Sequence, residues 1–343
     1  MLAALLLVSA CATSVDGKGD TPSEGSAFDR PATPDRPGEG PSDADTDTDA
    51  DTDADTDTVP GGDTGTDPGT DPGTDPAAPI RFIALGDAGT GDEDQFLVAD
   101  AIANVCEING CDFALYLGDN IYSDGVDGPD DSQWEDKFEL PYSALEFPFY
   151  AVLGNHDYGS GGGGFEIDRA NAQVEYAALS DKFVMPSLFY THVQGDTTFI
   201  ALDTTALDWG RGEEQQAWLP GVLEAATTNW KIAYGHHPYI SNGDHGNAND
   251  NYAPFFEDNL CGKIDVYFCG HDHDLQWLEP TCGTEFILSG AAAKLRDIAS
   301  SDNATFFERS NLGFMWVEID GDTFTGVFYD ENAQEMFRRS FTK

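Results

Sequence analysis

Beyond residue 79 the chain alternates short apolar runs with polar, glycine-marked stops. Residues 81–85 lead into Gly86-Asp87, 113–117 into Gly118-Asp119, and 149–153 into Gly154-Asn155-His156. Residues 198–202 lead into Asp203, 231–234 into Gly235-His236, and 264–269 into Gly270-His271. Runs this short, rich in Val, Ile, Phe and Tyr, read as buried strands. Helical stretches over 92–108, 170–180, 213–226 and 252–260 fall between them. Such alternation predicts an α/β domain with a largely parallel or mixed sheet. In such sheets ligands gather beyond the carboxyl ends of the strands, where these polar stops lie. The tail differs: 314–319 and 323–329 predict an antiparallel hairpin around Asp320-Gly321-Asp322. The whole pattern predicts two packed sheets flanked by helices.

The first quarter carries no such pattern. Residues 12–79 repeat Asp-Thr and Asp-Pro-Gly-Thr, with Phe28 as the only aromatic. So little apolar surface cannot offset the entropy of ordering, which predicts a disordered acidic linker. Ahead of it, residues 2–8 form an apolar run too short to span a bilayer. Val8-Ser9-Ala10-Cys11 resembles a bacterial lipobox, in which Cys11 would carry lipid. The expected organisation is a signal segment 1–11, a linker 12–79 and a catalytic domain 80–343. Its expected place is extracytoplasmic, anchored to the bacterial envelope or cell surface through Cys11. The alternative is a plain cleaved signal with an incidental Cys, and secretion; the absence of Lys or Arg before the apolar run departs from the usual signal pattern. As a coil of 68 residues the linker would reach roughly 45 Å.

Charge narrows the partners. Of the net −47, the linker's 18 acids and 3 bases supply −15, leaving −32 for the rest. A surface so acidic argues against nucleic acid, whose binding needs clustered Lys and Arg. It would also repel anionic substrates unless bound cations invert the local field. The expected partner is a small molecule, and the expected state a monomer. The cysteines agree with export. Cys106–Cys111 could close a small loop, and Cys261–Cys282 could staple the segment around the last histidine motif. Cys269, inside an apolar run, is left as a buried thiol.

The polar stops form a set: Gly86-Asp87-Ala88-Gly89, Gly118-Asp119-Asn120-Ile121-Tyr122, Gly154-Asn155-His156-Asp157, Gly235-His236-His237-Pro238 and Gly270-His271-Asp272-His273. Together they offer carboxylates, an amide oxygen, a phenol and imidazoles, which suits a pair of first-row metals. Singly they mean little, because Gly-Asp after a strand is a common turn and Tyr122 could be a packed ring. Gly-His-Asp-His is stronger, since two loop histidines at i and i+2 seldom serve packing. Five in order, each at a strand end, are not a packing pattern. Two cations about 3.5–4 Å apart can hold a phosphate ester, acidify a water and stabilise in-line displacement. A bridging carboxylate keeps them that close, and Asp119 is the natural bridge. His237 reads as a packing or rim residue, and His192 as structural. The Gly159-to-Gly164 run follows no strand–turn–helix pattern suited to a dinucleotide, so it reads as a loop beside the site.

These motifs resemble those of the calcineurin-like metallophosphoesterases. Gly118-Asp119-Asn120-Ile121-Tyr122 resembles the purple acid phosphatase branch, especially its small, mammalian-type tartrate-resistant members. The similarity extends to Ser187-Leu188-Phe189-Tyr190, to the stretch 199–204 and to Leu288-Ser289-Gly290-Ala291. It implies a four-layer α/β/β/α sandwich of two mixed sheets flanked by helices. It implies that Asp87, Tyr122 and His273 hold Fe(3+), with Asp119 bridging. Asn155, His236 and His271 would hold a divalent Fe, Zn or Mn ion, again with Asp119. His156 and His245 would be catalytic, contacting phosphate with Asn155 or delivering a proton, and Asp157 could orient an imidazole. Many relatives carry a longer loop over the site until proteolysis removes it. The stretch 204–214 is short here, so no proteolytic activation is expected. The expected activity is that of an acid phosphatase: a metal-activated hydroxide hydrolyses phosphate monoesters. The rivals are a phosphodiesterase or nucleotidase of the same superfamily, or a non-catalytic surface binding module.

Overall fold

The computed structural model describes residues 78–300 and 302–343, so the signal segment, Cys11 and nearly all of the linker lie outside the described residues. Among the described residues, fourteen strands make two mixed seven-stranded sheets. The first sheet contains β1 (Ile80–Leu85), β2 (Phe113–Tyr116), β3 (Phe149–Ala151), β4 (Phe183–Val184), β12 (Gly313–Asp320), β13 (Thr323–Asp330) and β14 (Glu335–Thr342). Its order is β14-β13-β12-β1-β2-β3-β4, with β1 to β4 parallel and β12 antiparallel to β1. The second contains β5 (Tyr190–Gln194), β6 (Thr197–Ala201), β7 (Trp230–Tyr234), β8 (Val266–Cys269), β9 (Leu275–Leu278), β10 (Glu285–Ser289) and β11 (Thr305–Arg309). Its order is β11-β9-β10-β8-β7-β6-β5, with β6, β7, β8 and β10 parallel.

Side-chain alternation explains why the sheets stack with helices outside them. In a strand, successive residues face opposite sides, so a doubly buried strand serves two cores. Phe199, Ile232, Tyr234, Val266 and Phe268 join the larger core between the sheets. Their neighbours Ile200, Ala233, Tyr267 and Cys269 face a second core. That core lies under Leu219 of α4 (Glu213–Ala225) and under Phe255 and Phe256 of α5 (Ala253–Asn259). Phe82 of the first sheet stacks on Phe113 at 5.1 Å and meets Phe199 and Phe268 of the second edge-on at 5.5 and 5.9 Å. On the first sheet's side, Val98, Ile102 and Val105 of α1 (Glu93–Asn109) are buried in the larger core, as is Ala170 of α2 (Ile167–Ala177). The four layers are therefore α, β, β, α.

The local signals of α1 are explicit. Asp92 caps its start by accepting from the Gln95 N–H, and Gly110 ends it at φ 79°. Cys106 is joined to Cys111 there, Cys261 is joined to Cys282, and Cys269 is a buried thiol. One expectation shifts. The helix expected over 170–180 starts earlier, at Ile167, and ends at Ala177. The short stretch after Asp203 begins with a helix α3 (Thr204–Asp208), which Asp203 caps by accepting the Ala206 N–H at 2.9 Å. Among the described residues, no helix is long and apolar enough to cross a membrane.

Candidate metal centre

The parallel strands of both sheets deliver their carboxyl ends to one seam. Backbone bonds tie it together: the Gly86 N–H donates to the Ser289 carbonyl at 2.8 Å, and the Gly270 N–H to the His236 carbonyl at 3.0 Å. Asp87, Asp119 and His271 stand there with φ of 59°, 52° and 72°. Left-handed backbone at non-glycine residues is strained and collects at functional sites. Gly154 lets two of these turns approach, since a Cβ there would lie 2.1 Å from Asp119 Oδ1.

The buried donors gather in two sets that meet at Asp119. In one, the Tyr122 hydroxyl lies 3.1 Å from Asp87 Oδ1 and 3.2 Å from His273 Nε2, which is itself 3.4 Å from Asp87 Oδ1. Ligand atoms of Asp87, Asp119 and His273 all fall within 4.8 Å of one another. In the other, His236 Nε2 lies 3.0 Å from Asn155 Oδ1, 3.1 Å from His271 Nδ1 and 3.5 Å from Asp119 Oδ1.

The second set tests the fit to a cation directly. His236 Nδ1 lies 2.9 Å from the Leu117 carbonyl, which can only accept, so Nδ1 holds a proton and Nε2 is the nitrogen whose lone pair a metal would take. Asn155 donates Nδ2 to the Gly162 carbonyl at 3.2 Å, which turns Oδ1 toward that lone pair. Nε2 and Asn155 Oδ1, 3.0 Å apart, can share either a proton or a cation that takes both as donors. The donor set thus fits a metal.

Electrostatics point the same way. Burial, with help from Asp119, pushes the Asp87 carboxyl up to about 8. Burial also works to raise Asp119, but His236 and His156 hold it below the usual carboxylate range. Burial and both carboxylates push the Tyr122 phenol well above its ordinary value. Burial and neighbouring cations pull His273 down to about 4, and burial with the adjacent imidazoles takes His271 well below its usual range. Bound cations would reverse these shifts by favouring carboxylate, phenolate and neutral imidazole.

Outside these sets, His156 lines the cleft with its Nδ1 donating to the Ser123 carbonyl at 2.7 Å and Nε2 4.0 Å from Asp119 Oδ2. His245 stacks on His271 with ring centres 4.0 Å apart. Asp157 does not orient an imidazole. Its carboxylate accepts the backbone N–H groups of Asn120, Ile121 and Gly154 at 3.0, 3.1 and 2.8 Å, and the Gln173 amide at 2.7 Å. Three backbone donors outcompete a ring for a fully buried acceptor, so Asp157 braces two motif loops instead.

A cleft of about 330 Å³ opens over the donors, between His156, His245, His273 and the Gly161–Gly163 segment. Gly162 is required there: a Cβ would meet Asn155 Nδ2 at 2.3 Å, and its φ is +85°. Two basic residues escaped the sequence reading. Arg296 lines the cleft and donates to His245 Nε2 at 2.7 Å, and the Lys294 ammonium lies 3.9 Å from the centre of the Tyr122 ring. They follow the Leu288-Ser289-Gly290-Ala291 stretch, and only their basic charge in so acidic a chain could have flagged them. A second cavity of about 290 Å³ shares the Asn155, Gly162, His245 and His271 walls.

Relatives agree with this architecture. Tartrate-resistant acid phosphatase type 5 of Rattus norvegicus is 29% identical over 310 residues, covering 78% of this chain and 91% of its own. The Homo sapiens protein of that name is also 29% identical, covering 76% and 90%. Purple acid phosphatase 7 of Arabidopsis thaliana is 27% identical, covering 77% and 86%. Two solved structures share the fold. One is GAP50, the anchor in the inner membrane complex of Plasmodium, with a TM-score of 0.67 at 22% identity, covering 77% of this chain and 89% of that one. The other is a dimetal phosphatase from Danio rerio, with 0.53 at 13%, covering 78% and 99%. Residues 80–275 match the calcineurin-like phosphoesterases, and the chain belongs to that family.

Proposed function

We propose that the protein is a metal-dependent phosphatase that hydrolyses phosphate monoesters outside the cytoplasm, in the manner of the purple acid phosphatases. The observation that carries this reading is the pair of facing donor sets sharing Asp119. Asp87, Tyr122 and His273 would hold a ferric ion, and Asn155, His236 and His271 a divalent Fe, Zn or Mn ion, with Asp119 common to both. When bound, the two ions would neutralise the ester's charge and acidify a water.

The chain's own groups do the rest. Arg296 faces the cleft over the donors and supplies N–H groups for ester oxygens, and His156, its Nδ1–H spent on Ser123, would add an Nε2–H as the imidazolium. His245 stands in the wall shared by both cavities and, once protonated at the Nε2 that here accepts from Arg296, would be placed to give the leaving oxygen a proton. Tyr122 supports the monoester reading, because a phenol among the donors is what sets the purple acid phosphatase motif apart. Cys11 would carry the lipid, and the acidic linker would hold the enzyme away from the membrane.

One preparation tests the whole reading. Metal analysis and visible absorption should show two ions per chain and the purple colour of ferric tyrosinate. A panel of phosphomonoesters and diesters across pH should favour monoesters, and the wild type should partition with membranes where Cys11→Ser does not. Diester preference would install the phosphodiesterase reading. A colourless, metal-free, inactive protein would install the binding module.

A further inference from the structure

We infer that the second cavity is a subsite for a neutral, hydroxyl-bearing leaving group of about a sugar's size, with His237 as a hydrogen-bond donor in its wall. The inference rests on the phosphatase reading and adds a substrate class to it. The key observation is a forced tautomer. The Thr204 hydroxyl already accepts the backbone N–H groups of His236 and His237 at 3.1 and 2.9 Å. Both its lone pairs are used, so its one proton goes to His237 Nδ1, 3.0 Å away. His237 therefore keeps its own proton on Nε2. That N–H finds no partner among the described residues and stays open to the cavity, although the residue as a whole is buried. The ring forms part of the cavity wall. A donor fixed in direction and open to a cavity beside a reaction centre is a polar handle that can orient a ligand there.

The rest of the wall defines the occupant. Trp209 is 44% exposed and offers a flat face to a ring. Asp208 uses Oδ1 to accept from Asn249 at 2.7 Å, which leaves acceptor capacity for hydroxyl protons. The same carboxylate repels a second phosphate. Asn247 spends its Oδ1 on the Ser241 N–H and on Asn303, so its amide protons remain for a hydroxyl oxygen. Donors and acceptors thus alternate around an aromatic platform, which suits a polyol ring and not a plain hydrocarbon. The shared walls at Asn155, His245 and His271 place that ring next to the phosphate cleft.

The test uses two primary alkyl phosphates of similar shape: glucose 6-phosphate and cyclohexylmethyl phosphate, which lacks the hydroxyls. Calorimetric binding and steady-state KM are measured on the metal-loaded protein and on His237→Phe, which keeps an aromatic ring but loses the donor. The wild type should prefer the sugar ester about tenfold, the scale of one well-made hydrogen bond. His237→Phe should lose that preference through KM, with kcat for the cyclohexyl ester and the metal content unchanged. If His237→Phe does not fold, the exposed Trp209→Ala should lose the same preference. Equal weakening for both esters, or no wild-type preference, overturns the subsite. Sugar-selective binding without hydrolysis would instead sink the phosphatase reading and leave the subsite standing.

Discussion

The two sheets bring different chemistry to the same seam. The ends of β1, β2 and β3 supply oxygen: Asp87, Asp119, Tyr122 and Asn155. The ends of β7 and β8 supply nitrogen: His236, His271 and His273. Neither sheet completes a donor set alone, because Tyr122 and Asp87 need His273, and His236 and His271 need Asn155. The support also crosses the seam, since His236 is oriented by the Leu117 carbonyl of the other sheet. The difference teaches that each cation would clamp sheet to sheet, so metal affinity and packing of the seam are one quantity.

The largest break comes from the residue common to both sets. Asp119→Ala should abolish loading of both ions and lower turnover by more than the about 10²–10³-fold typical of removing one transition-state donor. Two tightly bound metals with near-normal turnover in that variant would overturn the shared-ligand assignment.

A second prediction sets one outer histidine from each side against the other. His245→Ala should cost about 10²–10⁴-fold on an alkyl phosphate, and much less on nitrophenyl phosphate, whose leaving group needs no proton. His156→Ala, acting on phosphate, should raise KM alike for both esters. Metal content should be intact in each. The opposite pattern would exchange their roles, and wild-type kinetics for His245→Ala on both esters would remove it from the site.

The smallest effect sharpens the comparison from behind the oxygen side. Asp157→Asn replaces one acceptor of the brace with a donor, opposite backbone N–H groups of Gly154, Asn120 and Ile121. Metal affinity or activity should fall about 10–100-fold, the usual scale for groups behind a ligand. Thermal unfolding should show a loss of about 1–3 kcal/mol in the metal-free protein as well. If stability is untouched, the brace is not structural.

Much of this was legible because chemistry and strand ends coincide. Asp87, Asp119, Asn155, His236 and His271 each follow an apolar run, and parallel strands bring such positions together. The hairpin of β12 and β13 was visible in its alternation and its Asp-Gly-Asp turn. What escaped depends on contacts that no local pattern encodes. Arg296 sits on a stretch without regular structure, and its place at the cleft follows from where β10 ends. The brace by Asp157 required knowing that three backbone donors converge on it. The forced proton on His237 required Thr204, 33 residues earlier, to be seen beneath it. Strand β4 is two residues long, too short for a period to register.

One pairing in the first sheet has a consequence for how the protein is made. β1 lies between β2 and β12, and Ile80 is registered opposite Ile319. The strand that positions Asp87 is thus completed by a segment more than two hundred residues later in the chain. Every motif of the centre is synthesised before that partner exists. Contacts so distant in sequence close late and slowly. Any metal that needs the finished seam would therefore bind only after the last hairpin has docked.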